Sequence, residues 1–141
     1  MVSIKMVRKR SHNSCYYDIK YHLVLVSKYR KKCFDNEMLL FLEKEFKRIL
    51  EGQDCKLIEF GGEKDHVHML ITLHPTITPS AIINSMKTVS SRLLKKTFSE
   101  KLKDSYWGTN AIWNRSYCLL TVGNTNEEVI KNYIKNQNKP L

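Results

Sequence analysis

Residues 55–73 restrict the fold more than any other part of the chain. Two β-prone runs, Cys-Lys-Leu-Ile-Glu-Phe at 55–60 and His-Val-His-Met-Leu-Ile-Thr-Leu at 66–73, flank the turn-like Gly61-Gly62-Glu63-Lys64-Asp65. Two such runs joined through glycine read as a β-hairpin. In the second run His66 and His68 stand on either side of the apolar Val67. Strand side chains alternate faces, so both imidazoles project to the same side of the sheet. Placed this way they can hold one cation, imidazole being the commonest protein metal ligand. The same spacing also describes two histidines that merely line a wet sheet face, so the rest of the chain has to decide.

Around this hairpin the pattern is regular. In residues 16–27, Tyr17, Ile19, Tyr21, Leu23 and Leu25 fall on one face of a first strand. Asp35 or Asn36 can cap a helix over 36–51, with Leu39, Leu40, Phe41, Phe46, Ile49 and Leu50 at helical spacing and Gly52 as its stop. This helix is assigned to packing. Thr78-Pro79 opens a second helix running to about residue 102, with Ala81, Ile82, Met86, Val89, Leu93 and Leu94 as its apolar stripe. A loop over 103–111 leads to a fourth strand at 112–122. Thr125-Asn126-Glu127-Glu128 then has the form of a capping box before a last helix. The order is βαββαβ plus a helix. It predicts an α+β, ferredoxin-like fold: a four-stranded antiparallel sheet with two helices on one face and a C-terminal helix beyond. No repeat or linker divides residues 1–141, which read as a single domain. The polar, basic stretch 1–15 is expected to be a mobile arm, either a solubilising tail or a contact for phosphates.

Charge points to the partner. Lys and Arg number 24 against 14 Asp and Glu, giving +10 and a pI near 9.5. This favours a polyanion, nucleic acid before membrane. At the end of the first strand, Lys28-Tyr29-Arg30-Lys31-Lys32 sets cations around an aromatic ring. Such a cluster can grip phosphates while the ring stacks on a base, though a solvated turn would look the same. The second helix carries Lys87, Ser90, Ser91, Arg92, Lys95 and Lys96, which suit backbone contact or a plain solvated face equally. The four cysteines form no C-x-x-C pair, so they read as reduced thiols of a cytoplasmic protein. No run approaches the roughly 18 apolar residues of a membrane helix.

In the last helix Tyr133 and Gln137 are four apart and share a face. A tyrosine oxygen beside a bound cation is a plausible nucleophile toward a phosphodiester, and a Gln carboxamide oxygen could complete a His-His-Gln ligand set. The alternative for Tyr133 is an amphipathic helix docking an aromatic ring on the sheet. Taken together, these segments resemble a known family. His66-Val67-His68 matches the histidine–hydrophobic–histidine (HUH) motif of single-strand DNA endonucleases. Residues 127–137, Glu-Glu-Val-Ile-Lys-Asn-Tyr-Ile-Lys-Asn-Gln, look like the catalytic-helix segment of the single-tyrosine HUH transposases of small insertion sequences, the IS-two-hundred/IS-six-hundred-five kind. Residues 21–30 look like their first strand, and Trp113-Asn114-Arg115-Ser116-Tyr117, leading to Thr121-Val122-Gly123, like the strand before the catalytic helix.

The resemblance implies a DNA transposase. His66, His68 and Gln137 would bind Mg²⁺ or Mn²⁺, although hard cations usually favour oxygen ligands and the sequence leaves zinc open. Tyr133 would attack a scissile phosphate and leave a 5′-phosphotyrosine and a free 3′-OH. A second 3′-OH could then rejoin strands without any nucleotide cofactor. The partners implied are single-stranded DNA with hairpin ends and a second copy of the chain, the family acting as homodimers; no membrane is involved. Lys28, Arg30, Lys31, Lys87, Arg92 and Arg115 are the candidates for DNA contact. Glu63 and Asp65 could orient a histidine from outside the ligand set, or belong to a charged turn with neither role. His12, His22 and His74 have no evident partner and read as structural or solvent-exposed. Three other readings compete: a non-catalytic nucleic-acid-binding module, a metal-binding regulatory domain, and a domesticated relative that processes repeated palindromes by the same chemistry. Metal-dependent DNA cleavage would exclude the first two.

Overall fold

The computed structural model describes residues 17–106, 111–123, 131, 132 and 135. The arm at 1–15, the capping box at 125–128, His12, Tyr133 and Gln137 lie outside the described residues. Four strands, β1 (Lys20–Ser27), β2 (Lys56–Glu63), β3 (His66–Thr72) and β4 (Trp113–Val122), form one sheet in the order β2-β3-β1-β4. Every pairing is antiparallel. With helices α1 (Asn36–Glu51) and α2 (Pro79–Thr97), this is the ferredoxin-like arrangement read from the sequence. A single 3-10 turn, Lys28–Arg30, follows β1.

The core lies between the sheet and the helices. Leu23 and Leu25 of β1 and Val67, Met69 and Ile71 of β3 point into it, against Met38, Leu42, Phe46 and Leu50 of α1 and Ile83, Met86 and Leu94 of α2. Asp35 caps α1 by accepting a 2.9 Å hydrogen bond from the Met38 amide. The buried stripe of α1 is shifted from the expected one. Leu40 stands 69% exposed, whereas Met38 and Leu42 are fully buried. A run of adjacent apolar residues leaves the helix rotation open by about one position, and packing against the sheet settles it.

Two boundaries and one exposed face differ from the sequence reading. β2 runs on through both glycines to Glu63, so the turn contracts to Lys64-Asp65. Gly62 belongs in the strand because a Cβ there would lie 2.7 Å from Leu39 Cδ2 and 3.1 Å from Val67 Cγ1. Its bare backbone lets α1 approach the sheet. The long second helix breaks at Phe98 (φ −119°, ψ 38°), which turns its ring inward against Phe41. The chain then resumes as α3 (Ser99–Tyr106), where a loop was expected from residue 103. Finally, Ser90 and Ser91 are buried instead of facing solvent. The Ser90 hydroxyl accepts a 2.9 Å hydrogen bond from Trp113 Nε1, and Ser91 Oγ accepts one from the Ile112 amide.

Trp113 joins sheet and helix. It is 3% exposed and its ring packs 5.2 Å from Phe34 and 6.2 Å from Phe46. Trp113→Ala is expected to lower unfolding stability by about 3–5 kcal/mol, the range for deleting a large buried ring. A urea titration followed by circular dichroism checks this. A loss below about 1 kcal/mol would mean that the site collapses freely around the deletion.

Candidate active site

The histidine pair stands where the alternation argument placed it. His66 and His68 share the sheet face opposite the helices, with Val26 and Val24 of β1 opposite them on one side and Glu63 and Gly61 of β2 on the other. Both are buried, at 0% and 1% exposure. Their ring centroids are 4.8 Å apart and the planes nearly perpendicular.

Asp65, the last residue of the tight turn, controls His66. Its Oδ1 lies 2.7 Å from His66 Nδ1, and Arg30 donates to the other oxygen at 3.2 and 3.3 Å. Burial pushes the Asp65 carboxyl up, but the hydrogen bonds from His66 and Arg30, with the positive charge behind them, outweigh it and hold the group below the usual carboxylate range. A carboxylate can only accept, so in the neutral ring Nδ1 of His66 carries the proton and Nε2 the lone pair. Nε2 of His66 is buried without a hydrogen-bond partner among the described residues. A buried polar atom left so costs about 1–3 kcal/mol, which a bound cation would recover. A carboxylate on the far nitrogen of a metal-binding histidine is the usual supporting arrangement. The residues therefore fit a metal. His68 fits as well: burial first, then the neighbouring His66 and His22, lower its pKa to about 4, so the ring is neutral at ordinary pH. Among the described residues no group of three or more His, Cys, Asp or Glu is placed to hold a metal.

Glu63 sits directly across the hairpin from His66. The strand also brings Glu59, two positions before Gly61, to the histidine face, where it forms a 3.3 Å ion pair with Lys135. Lys131, Asn132 and Lys135 are helical. Tyr133 and Gln137 themselves lie outside the described residues. His22, which had no evident partner, is buried beside His68, 3.3 Å from its Nδ1. His74, likewise read as lacking a partner, is buried and bonded to Thr76.

Four of the six candidate DNA contacts converge on one open pocket of about 840 Å³ between the 3-10 turn, α2 and β4. Lys28, Lys87, Arg92 and Arg115 line it, with Lys95 and the 74% exposed ring of Tyr29; among the described residues no acidic one does. Burial lowers the pKa of Lys87 and, helped by Lys28, of Lys95. Crowded cations beside an aromatic plate suit a nucleic-acid strand. Arg30 and Lys31 are not in the pocket lining. Arg30 is spent on Asp65, and exposed Lys31 uses its carbonyl to accept from Ser27 Oγ. Tyr29 and Arg30 both adopt positive φ, 60° and 52°. Such backbone persists only where its surroundings dictate it. Here the Ser27 amide bonds to the Asp65 carbonyl and the Lys28 amide to the Ile112 carbonyl. The turn thus links the basic pocket to the histidine hairpin. Lys95, read on the basic helix but not singled out among the DNA candidates, joins them in the pocket, and the Arg30–Asp65 contact escapes a sequence reading because it spans 35 positions.

The chain resembles known proteins along most of its length. It is 31% identical over 121 residues to the ISDra2 transposase TnpA of Deinococcus radiodurans, covering 86% of this chain and 85% of that one. It is also 31% identical to the transposase for insertion sequence element IS200 of Salmonella typhimurium, covering 86% and 78%. Its fold matches a crystallised transposase candidate from Deinococcus radiodurans R1 with a TM-score of 0.72 at 28% identity, over 92% of this chain and 98% of that one. The fold, at 11% identity, also matches a REP-associated tyrosine transposase bound to a REP hairpin, with a TM-score of 0.58 over 88% and 69%. The family model described as "Transposase IS200 like" matches residues 15–137, and the chain belongs to that IS200-like transposase family.

Proposed function

We propose that this transposase cleaves and rejoins single-stranded DNA at the ends of an insertion sequence by metal-assisted transesterification, through a 5′-phosphotyrosine on Tyr133. The observation that carries the reading is the buried His66–His68 pair, with Asp65 directing the Nε2 lone pair of His66 away from its own hydrogen bond. His66 and His68, with Gln137, would hold Mg²⁺ or Mn²⁺. Bound there, a divalent ion would supply Lewis acidity toward the scissile phosphate. The Tyr133 oxygen forms a bond to phosphorus, the bond from phosphorus to the 3′ oxygen breaks, and the proton lost by the phenol is taken up by the departing 3′ oxygen. Attack by another 3′-OH reverses these steps and joins new strands. The basic pocket along Lys28, Lys87, Arg92, Lys95 and Arg115 would bind the DNA backbone near its hairpin, Tyr29 giving a stacking surface. Two copies of the chain would work together, as the family resemblance implies.

The test uses labelled single-stranded DNA carrying the hairpin ends that flank the coding sequence. With Mn²⁺ or Mg²⁺, a denaturing gel is expected to show a protein–DNA adduct that EDTA abolishes. An adduct that persists in EDTA would remove the metal from the reaction. Tight binding with no adduct under either metal would instead make the chain a binding module.

A further inference from the structure

The histidine face carries a third imidazole with no role in the reading above. His22 stands on β1 opposite Leu70, two positions along from Val24, which faces His68. Its ring therefore reaches His68 diagonally across the strands. His22 Nε2 lies 3.3 Å from His68 Nδ1, the ring planes are within 10° of each other, and the centroids are 5.5 Å apart. That separation is about the nitrogen contact plus the two half-rings. The imidazoles thus meet edge to edge, nearly in one plane, as an N–H···N hydrogen bond requires, and not face to face. The contact uses the nitrogen of His68 that points away from Nε2, so His22 is not placed as a third ligand.

We infer that His22 is a positioning residue for His68: its Nε2 lone pair accepts the Nδ1 proton of His68 and so keeps Nε2 of His68 as the lone-pair nitrogen. The inference rests on the reading of His66 and His68 as metal ligands. For Nε2 to bind a cation, the proton of the neutral ring must sit on Nδ1, and the partner at Nδ1 decides whether it does. Each ligand histidine then has its own acceptor. The carboxylate of Asp65 holds His66 and the imidazole of His22 holds His68. The strand pairing enforces both, because His22 is fixed by its backbone register and Asp65 by the two-residue turn.

Two substitutions separate positioning from packing. His22→Leu fills the space and removes the acceptor. His22→Gln puts a carbonyl oxygen near the place of Nε2. Mn²⁺ binding to the full chain, followed by electron paramagnetic resonance, is expected to weaken about tenfold in His22→Leu and to return to within about threefold of wild type in His22→Gln. Imidazole proton–nitrogen spectra of the metal-free protein are expected to show His68 protonated at Nδ1 in wild type and in His22→Gln, and a mixture of tautomers in His22→Leu. Wild-type Mn²⁺ affinity in His22→Leu, equal weakening in both variants, or an Nε2-protonated His68 in wild type would each overturn the inference. The underlying metal site fails separately: Mn²⁺ binding unchanged by His66→Ala would overturn it before His22 is considered.

Discussion

Tyr133→Phe is expected to abolish the covalent protein–DNA adduct, lowering strand cleavage by at least about 10⁴-fold, the scale seen when a nucleophile is removed. The substitution deletes one oxygen and keeps the ring, so it removes the bond-forming atom with the least disturbance to packing. Phosphate contacts dominate affinity for single strands, and hairpin binding is expected to stay within about twofold of wild type. Lys135, two residues on in sequence, is paired to Glu59 on the histidine face. The measurement is a denaturing gel of labelled DNA beside a gel-shift titration. An adduct of undiminished yield in Tyr133→Phe would move the nucleophile to another residue. Loss of hairpin binding together with the adduct would mean that the tyrosine serves in recognition.

His66→Ala is expected to be nearly as severe, lowering cleavage by about 10³-fold or more and Mn²⁺ affinity by at least about 100-fold. His66 is fully buried, and among the described residues its loss leaves Arg30 as the side-chain partner of the Asp65 carboxylate. Part of the cost therefore falls on the fold, about 1–3 kcal/mol for the carboxylate oxygen that loses its donor. Circular dichroism has to show a folded variant before activity is read. Asp65→Asn makes the informative companion. Its amide oxygen still accepts from Nδ1 and keeps the His66 tautomer, while the charge and the ion pair with Arg30 are lost. It is expected to retain metal binding and to weaken it about tenfold. Isothermal titration of both variants with Mn²⁺ orders them. Equal affinities for His66→Ala, Asp65→Asn and wild type would show that the histidine face binds no catalytic ion.

Much of this was legible before any coordinates. Alternation put His66 and His68 on one face because side-chain direction in a strand depends only on odd and even position. The helix over residues 36–51 and its Asp35 cap followed from local hydrogen bonding, which needs no tertiary partner. The errors share a cause. Gly61 and Gly62 look like a turn, yet Gly62 is a strand residue because α1 presses its Leu39 against it. Leu40 looks like core, yet it faces out because the sheet selects the rotation of α1. Ser90 and Ser91 look like a hydroxyl surface for phosphates, yet Trp113 and Ile112 claim them from across the core. Each misreading concerns a residue whose environment is supplied by a distant segment.

The active site divides in the same way. From the sequence come the residue types and the strand periodicity, and with them the histidine pair and the cationic character. These depend on spacing within one element, which the chain carries in its order of residues. Tertiary structure alone decides that Arg30 grips Asp65 across 35 positions and that His22 meets His68 across 46. It also decides that Lys28, Lys87, Lys95 and Arg115 border one pocket. Strand register and helix docking create these contacts, and both are set by burial of the whole core, which no local window of sequence contains.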